Sequence, residues 1–80
     1  MKIMLKKGKQ KQLIPCCKNR LDITWNQLAK RIRISEGYLK GDILNERRLL
    51  SEQNYMKLCK LSNNDFDIYI KERLDDNWGR

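Results

Sequence analysis

Apolar residues recur at helical spacing along most of this chain. Leu13, Cys17 and Leu21 stand four apart with Ile14 beside them, which predicts a first helix from about Lys9. Pro15 falls inside it and removes an interior hydrogen bond, so a late start or a bend is expected there, the bend being preferred. Trp25, Leu28, Ala29 and Ile32 follow the i, i+3, i+4, i+7 rule and predict a second helix with a narrow buried stripe. Leu39 and Ile43 mark a third, and Tyr55, Leu58, Cys59 and Leu61, with Met56 at the edge, mark a fourth. The stretch FDIYIKERL fits two periods: Phe66, Ile68 and Ile70 alternate as in a strand, whereas Phe66, Tyr69, Ile70 and Leu74 suit a helix. The helix is preferred because Asn64 can cap it and a lone strand would have no partner. The expected fold is therefore all-α, a compact bundle of about five helices.

Local signals sharpen three helix starts. Thr24 followed by Gln27 is a capping box, and Ile23 can pack on Leu28 as a hydrophobic staple. Ser35 is a second cap with Ile34 and Leu39 as its staple, and Ser51 a third with Leu50 and Tyr55. Only Arg33 and Ile34 separate Ile32 from Ser35, so the second and third helices must cross steeply, and the small Ala29 permits a close approach. That is helix-turn-helix geometry.

The domain limits follow from what is left over. Residues 1–8 read as a basic N-terminal arm ending at Gly8, either mobile or tucking Ile3 and Leu5 onto the core; residues 9–74 form the domain, and 75–80 an acidic tail in which Trp78 is a lid or an anchor. At 80 residues the core is modest, because so short a chain buries only about 60 % of the surface it exposes when unfolded. The net charge of +8 is uneven: residues 1–33 carry +9, 34–60 carry +1 and 61–80 carry −2. Such asymmetry suits a polyanion partner, since Lys and Arg that neutralise phosphates release counterions.

Little points to catalysis. There is no histidine, and Cys16, Cys17 and Cys59 cannot complete a four-ligand zinc site alone, so no metal, cofactor or catalytic residue is expected and the chain is not read as an enzyme. Free thiols in a reducing compartment are the expected state, a bridge between helices being the alternative. No apolar run reaches the length of a membrane span and the N-terminus lacks the apolar core of a secretory signal, so a cytoplasmic protein is expected.

Leu28, Ala29, Ile32, Ile34, Ser35 and Leu39 resemble the helix-turn-helix of the lambda repressor and Cro (XRE) class, where these residue types recur at these spacings. Two positions depart from that pattern: the turn glycine is Arg33, and the late apolar position of the third helix reads Asp42, with Ile43 expected to take over its core role. The segments LKKGKQKQLI, TWNQLAKRI, LSEQNYMKLCKL and DDNWG are also similar to the helix-turn-helix region preceding LAGLIDADG-type endonuclease domains in archaeal reading frames, although no LAGLIDADG segment is present. The resemblance implies a DNA-binding module, a transcription regulator or a targeting domain, apart from a nuclease half that would be a missing C-terminal partner domain.

Double-stranded DNA is accordingly the expected partner, read in the major groove by the third helix. With Leu39 and Ile43 inward, Gly37, Gly41, Leu44 and Arg48 fall on the opposite face, and the missing side chains would allow close backbone approach at Gly37 and Gly41. The alternative is that Gly41 ends a short helix and DILNERR is a loop. Ser35, Glu36, Tyr38, Lys40 and Asn45 are the candidates for base readout; Lys30, Arg31, Arg33, Arg47 and Arg48 are candidates for the DNA backbone. Pairing as a homodimer on a symmetric site stays open, since no segment is an obvious dimer helix. Two rival readings are a protein-interaction module, which requires an apolar patch around Trp78, Leu44 and the arm, and an RNA binder, for which stacking platforms are few.

Overall fold

The computed structural model describes residues 1–75, and its main departure from the expected bundle starts at residue 2. Lys2–Leu5 form a strand, β1, followed by helix α1 (Lys9–Leu21), helix α2 (Trp25–Arg31) and helix α3. Helix α3 begins as an α-helical turn, Glu36–Tyr38, and continues as a π-helical turn, Leu39–Ile43. Strand β2 (Leu50–Ser51) leads into helix α4 (Glu52–Ser62); a 3₁₀ turn, Asp67–Tyr69, then precedes strand β3 (Ile70–Leu74).

The all-α expectation is thus wrong: the described residues hold four helices and a three-stranded antiparallel sheet in the order β2-β1-β3. The segment expected as a fifth helix is the 3₁₀ turn and β3, and the partner it seemed to lack is the arm. Lys2 pairs with Leu74, Ile3 with Arg73 and Met4 with Glu72, and an irregularity after Met4 brings Leu5 opposite Ile70. On its other edge β1 pairs Lys2 with Ser51 and Ile3 with Leu50. Because β1 is the central strand, Ile3 and Leu5 turn to the core while Lys2 and Met4 take the other face. Trp78, expected as a lid or anchor, lies outside the described residues.

One core ties sheet and helices together. Leu13, Ile14 and Cys17 of α1 meet Tyr55 and Leu58 of α4, and Leu28, Ala29, Ile32, Leu39 and Ile43 complete the cluster beneath Ile3, Leu50 and Phe66. Helix α1 runs from Lys9 to Leu21 with Pro15 inside it, so the late start does not occur. The Tyr55 hydroxyl donates to Asp67 Oδ1 at 2.6 Å; burial first, and this bond second, hold the phenol well above its ordinary pKa. Burial likewise pushes the Cys17 thiol up to about 11, with Cys16 and Cys59 nearby adding to the shift. All three cysteines are free thiols. No helix among the described residues is long and apolar enough to cross a membrane.

Three helices end alike. After α1, α2 and α4 the chain takes a left-handed residue, at Asp22 (φ 52°), Arg33 (φ 61°) and Asn63 (φ 52°) respectively. At each, the next amide reaches back five residues, Ile23 to Lys18, Ile34 to Ala29 and Asn64 to Cys59, the bond of a Schellman motif. Asp and Asn tolerate that conformation, whereas Arg33 adopts it at a cost, in the place where glycine would be unstrained.

Candidate nucleic-acid interface

Helices α2 and α3 are set by their caps. The Thr24 hydroxyl accepts from the Gln27 amide at 3.1 Å and Gln27 Oε1 accepts from the Thr24 amide at 3.0 Å, so the predicted capping box is complete. The Ser35 hydroxyl accepts from the Tyr38 amide at 3.1 Å and starts α3 four residues after α2 ends. Arg33 lies at the corner between them.

The π turn decides which side of α3 faces out. The Leu44 amide donates to the Leu39 carbonyl, five residues back, at 2.8 Å, and this wider turn keeps Leu39 and Ile43 on the core side. Both are buried, and Asp42 is swung half out, so Ile43 fills the core position that the resemblance assigned to residue 42. On the side away from the core, Gly37 is exposed and Gly41 half-exposed, and a Cβ built at either would meet nothing within 4 Å. The helix neither stops at Gly41 nor extends to Arg48. It ends at Ile43, so Leu44 packs against the core and Arg48 belongs to the following loop; neither shares the glycine face as expected.

Every carbonyl freed at that end finds a donor. Asn45 Nδ2 reaches the Lys40 and Gly41 oxygens at 3.2 and 3.0 Å, the Arg47 amide meets the Asp42 oxygen at 2.8 Å, and the Glu46 amide and Gln10 Nε2 meet the Ile43 oxygen at 3.2 and 2.8 Å. Gln10, buried on α1, also donates to the Arg48 carbonyl at 2.8 Å. Glu46 completes the stitch. Its carboxylate accepts the Gly8 amide at 2.6 and 3.0 Å, supplying an anion to the start of α1, whose first turn has no acidic residue of its own. The buried Gln10 and the half-exposed Glu46 thereby fix where the loop after α3 sits. Neither residue was singled out in the sequence, because each works through a partner more than 30 positions away.

The candidate residues now have places. Ser35, Lys40 and Asn45 are exposed and Glu36 and Tyr38 half-buried, all on or beside the outward face of α3. Glu36 and Lys40 form an ion pair at 3.9 Å one turn apart, and the amide nitrogen of Asn45 is committed to capping, which leaves only its oxygen for a base. Lys30 and Arg31 lie exposed at the end of α2, and Arg33 is exposed at the corner. Arg47 and Arg48, also exposed, line with Lys2, Tyr38 and Asp42 a groove of about 600 Å³ that takes none of its lining from that group. Lys2, Lys7 and Lys71 were not anticipated, since the pairing of β1 with β3 is what brings them near that groove.

Among the described residues no group of three or more cysteines or carboxylates is placed to hold a metal ion. Of the positions where a protein-interaction module would need an apolar patch, Leu44 packs on the core, Ile3 and Leu5 lie within it, and Trp78 lies outside the described residues; among the described residues the exposed large apolar side chains are Met1, Met56 and Ile68. Set beside known proteins, the chain matches no family model, no curated protein and no solved structure.

Proposed function

We propose that this protein is a binding module for double-stranded DNA, not an enzyme, and that α3 reads the major groove in the manner of a helix-turn-helix. The observation that carries the reading is the bare outward stripe of α3 at Gly37 and Gly41, with exposed basic residues in the turn before the helix and in the loop after it. A helix with its side chains is about 10–12 Å across and the major groove about 12 Å wide, so a stripe of glycine lets the backbone sit deeper among base edges. Lys40, Tyr38, Ser35 and Glu36 are then the readers, and Lys30, Arg31, Arg33, Arg47 and Arg48 hold phosphates. The resemblance of LAKRIRIS and Leu39 to the lambda repressor and Cro class supports the same reading. The role is that of a transcription regulator or a DNA-targeting domain acting in the cytoplasm.

The test is fluorescence anisotropy of a labelled random-sequence duplex at two salt concentrations. The reading expects binding at low salt that weakens steeply as salt rises. Absence of binding at low salt rejects it.

A further inference from the structure

The groove beside α3 continues past the helix. Two adjoining hollows share Met4, Glu46 and Leu49; Lys2, Arg47 and Arg48 stand at one and Lys7 and Lys71 at the other. Five cations thus face two carboxylates, Asp42 and Glu46, and the Glu46 carboxylate is already engaged by the Gly8 amide. The floor is the outward side of β1, where Met4 lies between Lys2 and the turn carrying Lys7. Lys2 and Lys71 arrive from opposite ends of the chain.

Position gives this cluster its meaning. The bare stripe of α3 has two flanks: Glu36 and Lys40 lie on one, and Tyr38 and Asp42 on the other, which is the flank that lines the groove. Arg33 and the basic end of α2 lie outside the groove, which takes none of its lining from them. A helix seated in a major groove of about its own width has a phosphate strand against each flank. One strand would meet Lys30, Arg31 and Arg33. The other needs a basic wall of its own.

We infer that the groove formed by β1, β3 and the loop after α3 is a phosphodiester-backbone site that takes the second strand of the bound duplex, with Lys2, Lys7 and Lys71 as contacts beyond Arg47 and Arg48. The inference rests on the duplex-binding reading and extends its footprint from the helix to the sheet. The site contributes affinity without sequence preference, because phosphate contacts position a protein and base contacts specify.

The experiment compares the parent chain with two double variants, Lys7→Ala with Lys71→Ala and Arg31→Ala with Arg33→Ala. All four residues are exposed, so circular dichroism melts should show each variant folded. Losing two phosphate contacts lowers the slope of log K against log salt by about 1.8, which is about 30-fold in affinity at 0.15 M salt, equally for every duplex sequence. Hydroxyl-radical footprints should lose protection on one strand in the lysine variant and on the other strand in the arginine variant. An unchanged slope and footprint in the lysine variant, with the parent still binding, overturns the groove while leaving the duplex reading intact; loss of the same strand in both variants overturns it too. A parent that binds no duplex at low salt overturns both.

Discussion

Replacing Gly37 and Gly41 by alanine separates what is good for the helix from what is good for its proposed task. In a helix interior glycine is about 0.8–1 kcal/mol less favourable than alanine, and neither new Cβ would meet another atom within 4 Å. Gly37 sits in the first turn and Gly41 in the wide π turn, so somewhat less than the full difference applies at each, and the pair together should add about 1–2 kcal/mol. For a domain of this size that raises the melting temperature by about 5–15 °C. Two methyl groups on the stripe would also hold the backbone off the bases, and a lost base contact of about 1.4 kcal/mol is a tenfold weaker preferred site. Thermal melts by circular dichroism and anisotropy titrations against a selected duplex read the two effects independently. A stabler variant that binds as tightly as the parent would show that nothing approaches the stripe. A less stable one would show that it is not open.

Arg33→Gly should relieve the left-handed strain at the corner, a gain of up to about 1 kcal/mol after the extra flexibility of glycine is counted, while binding duplex about fivefold more weakly at 0.15 M salt; urea melts and titrations that moved in the same direction would contradict this. Glu46→Ala should cost about 1.5 kcal/mol in urea unfolding, because the Gly8 amide and the start of α1 lose a charged acceptor, and Glu46→Gln should recover part of it. Stability should fall as pH rises from about 9 to about 11: the unfolded Cys17 thiol releases its proton near 9 and the folded one holds it to about 11, so native protein binds more protons across that window. The slope from this group is at most about 1.4 kcal/mol per pH unit, the raised Tyr55 phenol acts in the same sense, and Cys17→Ala should flatten the urea-midpoint profile.

What the sequence disclosed was local, and what it concealed was not. Thr24 with Gln27, Ser35 and Ser51 each bond an amide three residues on, so their caps could be seen in a window of four. Strands β1 and β3 pair residues about 70 positions apart; β1 is only four residues long with the apolar Met4 on its outward face, and β3 carries no alternation, Lys71, Glu72 and Arg73 all being exposed. Reading FDIYIKERL as a helix followed from supposing that the arm offered no partner, and the arm proved to be the middle of the sheet. The substitution of Ile43 for residue 42 in the core was foreseen, but its cause, the i to i+5 bond from Leu44 to Leu39, has no signature in residue type alone. Asn45 is a candidate reader on the premise that α3 runs on past it; the helix ends at Ile43, and the Asn45 nitrogen bonds the Lys40 and Gly41 carbonyls, leaving its oxygen outward. Of the proposed interface, the basic end of α2 and the glycine stripe were legible, and the wall made by Lys2, Lys7 and Lys71 required the sheet.

The most direct test of the central claim is amide chemical-shift mapping of the isotopically labelled chain as a selected duplex is added. The account predicts that the largest shifts fall at Gly37, Tyr38, Lys40 and Gly41, with smaller ones at Arg31, Arg33, Arg47 and Arg48. Shifts confined to α4, with the amides of Gly37 and Gly41 unmoved at saturation, would contradict it.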